Sequence, residues 1–221
     1  MMRIFHLPPP PFCPQEALRY AGVRGENGEM AALMADVWQE AQGQLSYQAC
    51  CLETPLGLEG ENCRLNGIRV QSRALSRHLA GCRGALLMGA TVGVGLDRLI
   101  ARYGKIAPSR ALMLQALGAE RIEALCDAFC RMMGEEKRGE GLYLKPRFSP
   151  GYGDLPLEMQ IDLFRALRPE NAIGLTLNDS LIMSPSKSVT AVIGLTEEPQ
   201  SPPPSPCRSC GQKNCAYRRM P

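Results

Sequence analysis

Three strand-like pieces, AIGLTL (172–177), SLIM (180–183) and SVTAVIGL (188–195), follow one another with only a few residues between them. No other feature narrows the fold as much. Connections this short join antiparallel neighbours, because a parallel pair needs a crossover of a dozen or more residues. Asn178-Asp179 offers tight-turn chemistry between the first two pieces. Upstream, RLNGIRV (64–70) places Asn66-Gly67 between short apolar runs, the mark of a hairpin. GALLMGATVG (84–93) reads as a buried strand.

Helical patterns separate these pieces. Met30, Leu33, Met34, Val37, Trp38 and Ala41 keep one face over 29–41. Ser72 is placed to cap a short helix ending near Leu79. Further helices are expected from Val94 to Tyr103 and from Ser109 to about Met133, with Gly118 as a candidate break. GEEKRGEG (134–141) reads as a charged turn. Leu157, Ile161, Phe164 and Leu167 form an amphipathic helix that stops at Pro169. Helices, hairpins and a meander, without regular βαβ alternation, predict an α+β fold with a mainly antiparallel sheet. The expected organisation is a domain over 1–196, a Pro-rich linker over 197–206 and a Cys-rich tail over 207–221. The first residues, to about Pro14, read as an extended surface arm.

Composition removes several function classes. A net charge of +3 is too mild for nucleic-acid binding, which leaves a clustered basic stripe. The longest apolar run, 84–96, is too short to span a bilayer, and the N-terminus lacks the apolar core of a signal peptide. A cytoplasmic protein is expected. His6 and His78 are the only histidines, so a His-rich metal centre is out.

Ten cysteines in a reducing compartment point to thiols or metal ligands rather than disulfides. Cys207, Cys210 and Cys215 are spaced to hold one metal, either zinc or an iron–sulfur cluster. A fourth ligand would come from Cys13, Cys50, Cys51, another scattered thiol or outside the chain. The plainer alternative is a tail with three free thiols. GATVGVG (89–95) is Gly-rich before a helix, but it lacks both the GxGxxG spacing and a Walker lysine, so it reads as a packing turn.

The stretch LYLKPRFSPGYGDLP (142–156) combines stiff prolines with basic and aromatic residues. Arg147 offers a planar fork for a carboxylate. Gly151 permits close approach to the backbone. Tyr152 supplies a ring face for an adenine or a cationic sulfur. A Pro/Gly connector is the competing reading.

RFSPGYG, a helix, then NAIGLTLNDSLIMSPSKSVTAVIGL resembles the reactivation domain of cobalamin-dependent methionine synthase. That family carries an RPAPGYP-type loop, an IGITLTES-like strand and an MWPGASVSG-like segment. Arg147, Pro150, Gly151 and Tyr152 match the loop; Ile173 to Leu177 match the strand; Ser180, Met183, Pro185, Ser188 and Val189 match the remainder. The resemblance implies a twisted antiparallel sheet with flanking helices, and S-adenosylmethionine as ligand. It implies support for the reductive remethylation of cobalamin carried by a separate methionine synthase or related corrinoid protein, with an electron donor such as a flavodoxin. By match, Arg147 and the backbone at Ser149, Gly151 and Tyr152 hold the ligand, with acidic contacts mapping to Glu123 and Glu140. Gly153 stands where the family has proline, which implies a looser loop. Two other functions remain open: a metal-bearing electron-transfer protein built on the Cys tail, and a non-catalytic adaptor for a corrinoid protein.

Overall fold

A computed structural model describes residues 1–200; the tail cysteines 207, 210 and 215 and most of the expected linker lie outside the described residues. The framework is a seven-stranded antiparallel sheet. Its long strands are β2 (Gln48–Glu59), β5 (Cys82–Thr91) and β9 (Ser188–Thr196). The Asn66-Gly67 hairpin links β3 (Asn62–Leu65) to β4 (Ile68–Gln71), with both turn residues at positive φ as a primed turn requires. Strand order runs β4-β3-β2-β5-β9-β6, where β6 is only Tyr143–Leu144. The extended arm expected at the N-terminus enters this sheet: β1 (Arg3–His6) pairs with β2 at Gln48–Cys51.

Helices cover both faces of the sheet, which explains why β5 reads as a continuous apolar run rather than an alternating one. Cys51, Met88 and Ile193 face α1 (Pro14–Tyr20), α2 (Gly28–Ala41), α4 (Gly95–Ile106) and α5 (Pro108–Gly139). Cys50, Leu87 and Val192 face α3 (Arg73–Leu79), α6 (Met159–Leu167) and α7 (Pro169–Ile173). The α+β architecture with a mainly antiparallel sheet between helices is therefore as the sequence predicts. None of the described helices is long and apolar enough to cross a membrane.

Several local expectations are corrected. The turn expected at 134–141 is helical to Gly139, because Lys137 is buried there between Glu53 and Glu140. The strand AIGLTL is mostly not a strand: Ala172 and Ile173 close α7, Gly174 ends it in the left-handed region, and only Thr176–Leu177 (β7) is extended. β7 pairs with β8 (Met183–Ser184) in a separate ribbon. Its loop is longer than a two-residue turn, and Asn178 Oδ1 accepts from the amides of Ser180 and Ile182. Of the three pieces, only the last joins the main sheet.

Gly118 does not break α5. A Cβ there would meet Leu96 Cδ2 at 2.4 Å and Lys187 Cγ at 2.8 Å, so the glycine lets α4 and the segment before β9 close on α5. Ordinarily Gly→Ala in a helix gains about 1 kcal/mol. At this position the sign is expected to reverse, because the fully buried Leu96 side chain would have to shift. Gly118→Val is expected to cost about 1–3 kcal/mol by overpacking, read as a fall in thermal unfolding midpoint. An unchanged or raised midpoint would show that the contact is slack.

Candidate functional site

The loop quoted above leaves the sheet beside β9. Lys145 N–H donates to Gly194 O, and Phe148 and Val192 exchange two backbone hydrogen bonds of 2.9 and 2.8 Å. Pleating then separates neighbours. Phe148 turns to the α3–α6 side, while Arg147 turns to α5. On α5, Glu123, Asp127 and Cys130 form one stripe at helical spacing. Arg147 Nη2 donates to Glu123 at 2.8 Å and Nη1 to Asp127 at 2.7 Å. Nη1 also lies 3.8 Å from Cys130 Sγ.

These groups line a cleft of about 350 Å³ together with Pro146, Ser149, Tyr152 and Val189. Binding clefts for small ligands commonly span about 300–1,000 Å³. Tyr152 is 59% exposed, and its ring meets Phe148 edge-on at 6.2 Å, which leaves a face for a ligand. A second groove of about 410 Å³ shares Glu123 and Asp127 and runs under Pro10, Pro11 and Cys13. A larger concavity, about 740 Å³ between α6 and the β7–β8 loop, contains none of the predicted site residues.

The structure thus brings Arg147, Ser149, Tyr152 and Glu123 to one cleft, with Gly151 in its loop. Glu140 is not there: it caps the far end of α5 and pairs with Lys137. The amides expected to meet a ligand are already engaged. Gly151 N–H donates to Leu155 O and Tyr152 N–H to Ser149 O. Asp127 escaped sequence reasoning, although its place four residues after Glu123 was the available signal.

Gly153 does not loosen the loop. It sits at φ +58°, and a Cβ on it would lie 2.9 Å from Ala74 Cβ. Proline, locked near −65°, has no access to that conformation. Next to it, Asp154 caps α3: its carboxylate accepts from Ser72 Oγ and from the amides of Arg73 and Ala74. These contacts hold the Asp154 carboxyl below its usual range, Ser72 contributing most. Gly153→Ala is expected to destabilise by about 1–2 kcal/mol from the left-handed backbone alone, measured by denaturant unfolding. A neutral result would mean the loop relaxes off α3.

Among the described residues no group of three or more His, Cys, Asp or Glu is placed to hold a metal, so zinc or iron–sulfur binding gains no support there. The described cysteines are free thiols. Burial pushes Cys50 up to about 12 and Cys51 up to about 11, and it raises Cys130 as well. Such thiols stay protonated at neutral pH and are poor ligands or nucleophiles.

No protein-family profile and no curated relative matches the sequence. Among solved structures, a crystal structure of the MetH reactivation domain bound to AdoHcy matches with a TM-score of 0.64. The chain has that domain's fold. The match covers 91% of this chain and 80% of the other, at 14% identity.

Proposed function

We propose that the cleft binds S-adenosylmethionine and that the protein supports the reductive remethylation of cobalamin in a separate methionine synthase or related corrinoid methyltransferase. The observation that carries the reading is the seating of RFSPGYG against the acidic stripe of α5, on a fold shared with a domain crystallised with AdoHcy. The cleft presents two carboxylates, one guanidinium and an exposed ring. Its net negative charge suits a ligand whose ammonium and sulfonium outweigh its carboxylate. The guanidinium has five N–H donors and directs three to Glu123, Asp127 and Cys130 Sγ, which leaves two for the ligand carboxylate. In that reading one electron from the donor would reduce the partner's cobalt(II), the sulfonium methyl would pass from sulfur to cobalt and S-adenosylhomocysteine would leave; this chain contributes binding and orientation. A cytoplasmic setting and a donor such as a flavodoxin belong to the same reading.

Anaerobic addition of the protein and S-adenosylmethionine, with reductant, to a methyltransferase stalled as cobalt(II) tests it. Recovery of the methylated cofactor only when both are present is the expected result. Recovery without the protein, or none at all, would rule it out. Charge gives a second readout. S-adenosylhomocysteine lacks the sulfonium, so it is expected to bind more weakly. Asp127→Asn is expected to narrow that preference by about 1 kcal/mol, since a nearby exposed charge is worth about that much in water. Calorimetry with both ligands measures it, and an unchanged ratio would remove Asp127 from the site.

A further inference from the structure

The two residues that flank Arg147 meet the same side chain, Pro146 through its carbonyl and Phe148 through its ring. His78, near the C-terminal end of α3, contacts Pro146 O through Nε2 at 2.8 Å; since a carbonyl only accepts, Nε2 carries the proton. The ring also packs on Phe148, with centroids 5.1 Å apart. Phe148 in turn meets Tyr152, the exposed wall of the cleft, edge-on. Beside it, Lys145 Nζ donates to Ala80 O, just past the end of α3. At the other end of the same helix, Asp154 and Gly153 close the far side of the loop. The loop therefore grips α3 at both ends, and His78 stands behind the segment that projects Arg147.

We propose that His78 is a positioning residue for the cleft, fixing the backbone before Arg147 through Pro146 O and the ring after it at Phe148, and through Phe148 the wall at Tyr152. The inference rests on reading the cleft as an S-adenosyl ligand site, yet half of it concerns the free protein. Burial lowers the pKa of the half-buried ring, the bond to Pro146 O opposing it and the charge of Lys145 adding to it, a net direction that favours a neutral ring used as a hydrogen-bond donor and packing surface. A donor with the right reach and no ring would keep the first contact and lose the second. A methyl group would lose both.

Hydrogen exchange on the free protein, followed by calorimetry with S-adenosylmethionine, tests this with His78→Ala and His78→Gln. In His78→Ala the amides of Lys145 and Phe148 are expected to exchange at least tenfold faster, with β2 and β5 amides unchanged. Ligand affinity is expected to fall about tenfold. His78→Gln is expected to restore most of the protection at Lys145 and to recover affinity to within about threefold. Faster exchange across the whole sheet, or no local change at all, would overturn the positioning role. So would His78→Gln behaving as His78→Ala in both measurements. If the wild-type protein binds no S-adenosyl ligand, the functional reading fails while the exchange result still decides whether His78 fixes the loop.

Discussion

Arg121→Ala is expected to destabilise the protein by about 3–5 kcal/mol, the cost of stranding a buried charge by removing its partner. Arg121 is fully buried and pairs with Glu120, which is only 4% exposed. Its Nη1 and Nη2 also donate to Pro10 O and Pro11 O at 2.7 and 2.8 Å, and its guanidinium lies about 5 Å from the rings of Phe12 and Trp38. The side chain thus fastens the proline arm to α5. Glu120 extends the clasp by accepting from Cys13 N–H. The alanine variant loses the Arg121 bonds and leaves the buried Glu120 carboxylate with the Cys13 amide but without its guanidinium partner. Chemical denaturation measures the loss. Limited proteolysis gives a local readout, because the arm is expected to become cleavable between Leu7 and Pro14 before the sheet unfolds. Replacing both residues with uncharged side chains of similar volume is expected to recover most of the stability, since a buried pair often gains little over a well-packed apolar one. A loss below about 1 kcal/mol in the single variant would mean that water reaches Glu120 and that the arm is held by β1 alone.

The arm also shows where sequence reasoning stopped. Pro8 to Pro11 excluded helix, and extended chain was the correct local conclusion, but its docking depends on Arg121, more than a hundred residues later. Long-range polar contacts leave no periodicity to read. The central strands were legible because β5 and β9 are apolar on both faces, and the hairpin at Asn66-Gly67 because a primed turn demands residues that tolerate positive φ. Gly118 misled because its helix penalty is local, whereas the reason for it, close approach of Leu96 and Lys187, is tertiary. Gly153 misled likewise: its absent Cβ tightens the loop against Ala74. At the candidate cleft, Arg147 and Tyr152 stand out from loop chemistry, and the fold places both in its lining. His78 enters the sequence reading only in the exclusion of a His-rich metal centre, because nothing local ties position 78 to position 146.

Arg147→Ala is expected to weaken S-adenosylmethionine binding by about 1.5–3 kcal/mol, the range for a hydrogen bond to a charged group, or roughly 10- to 150-fold in Kd. The fold is expected to survive. Glu123 and Asp127 are 44% and 64% exposed, so water rehydrates them, and such surface pairs contribute about 0–1 kcal/mol. Binding and stability therefore separate in one variant. Arg147→Lys is expected to recover little, because a point charge lacks the planar fork that serves Glu123, Asp127 and a ligand carboxylate together. A ligand of different charge turns this into a test of sign. Removing the guanidinium leaves both carboxylates uncompensated. A decarboxylated S-adenosylmethionine, which keeps the sulfonium and amine but loses the anion, is then expected to bind Arg147→Ala more tightly than it binds the wild type. Opposite shifts for the two ligands would assign Arg147 to carboxylate recognition. Parallel losses would show instead that Arg147 only shapes the cleft by tying the loop to α5.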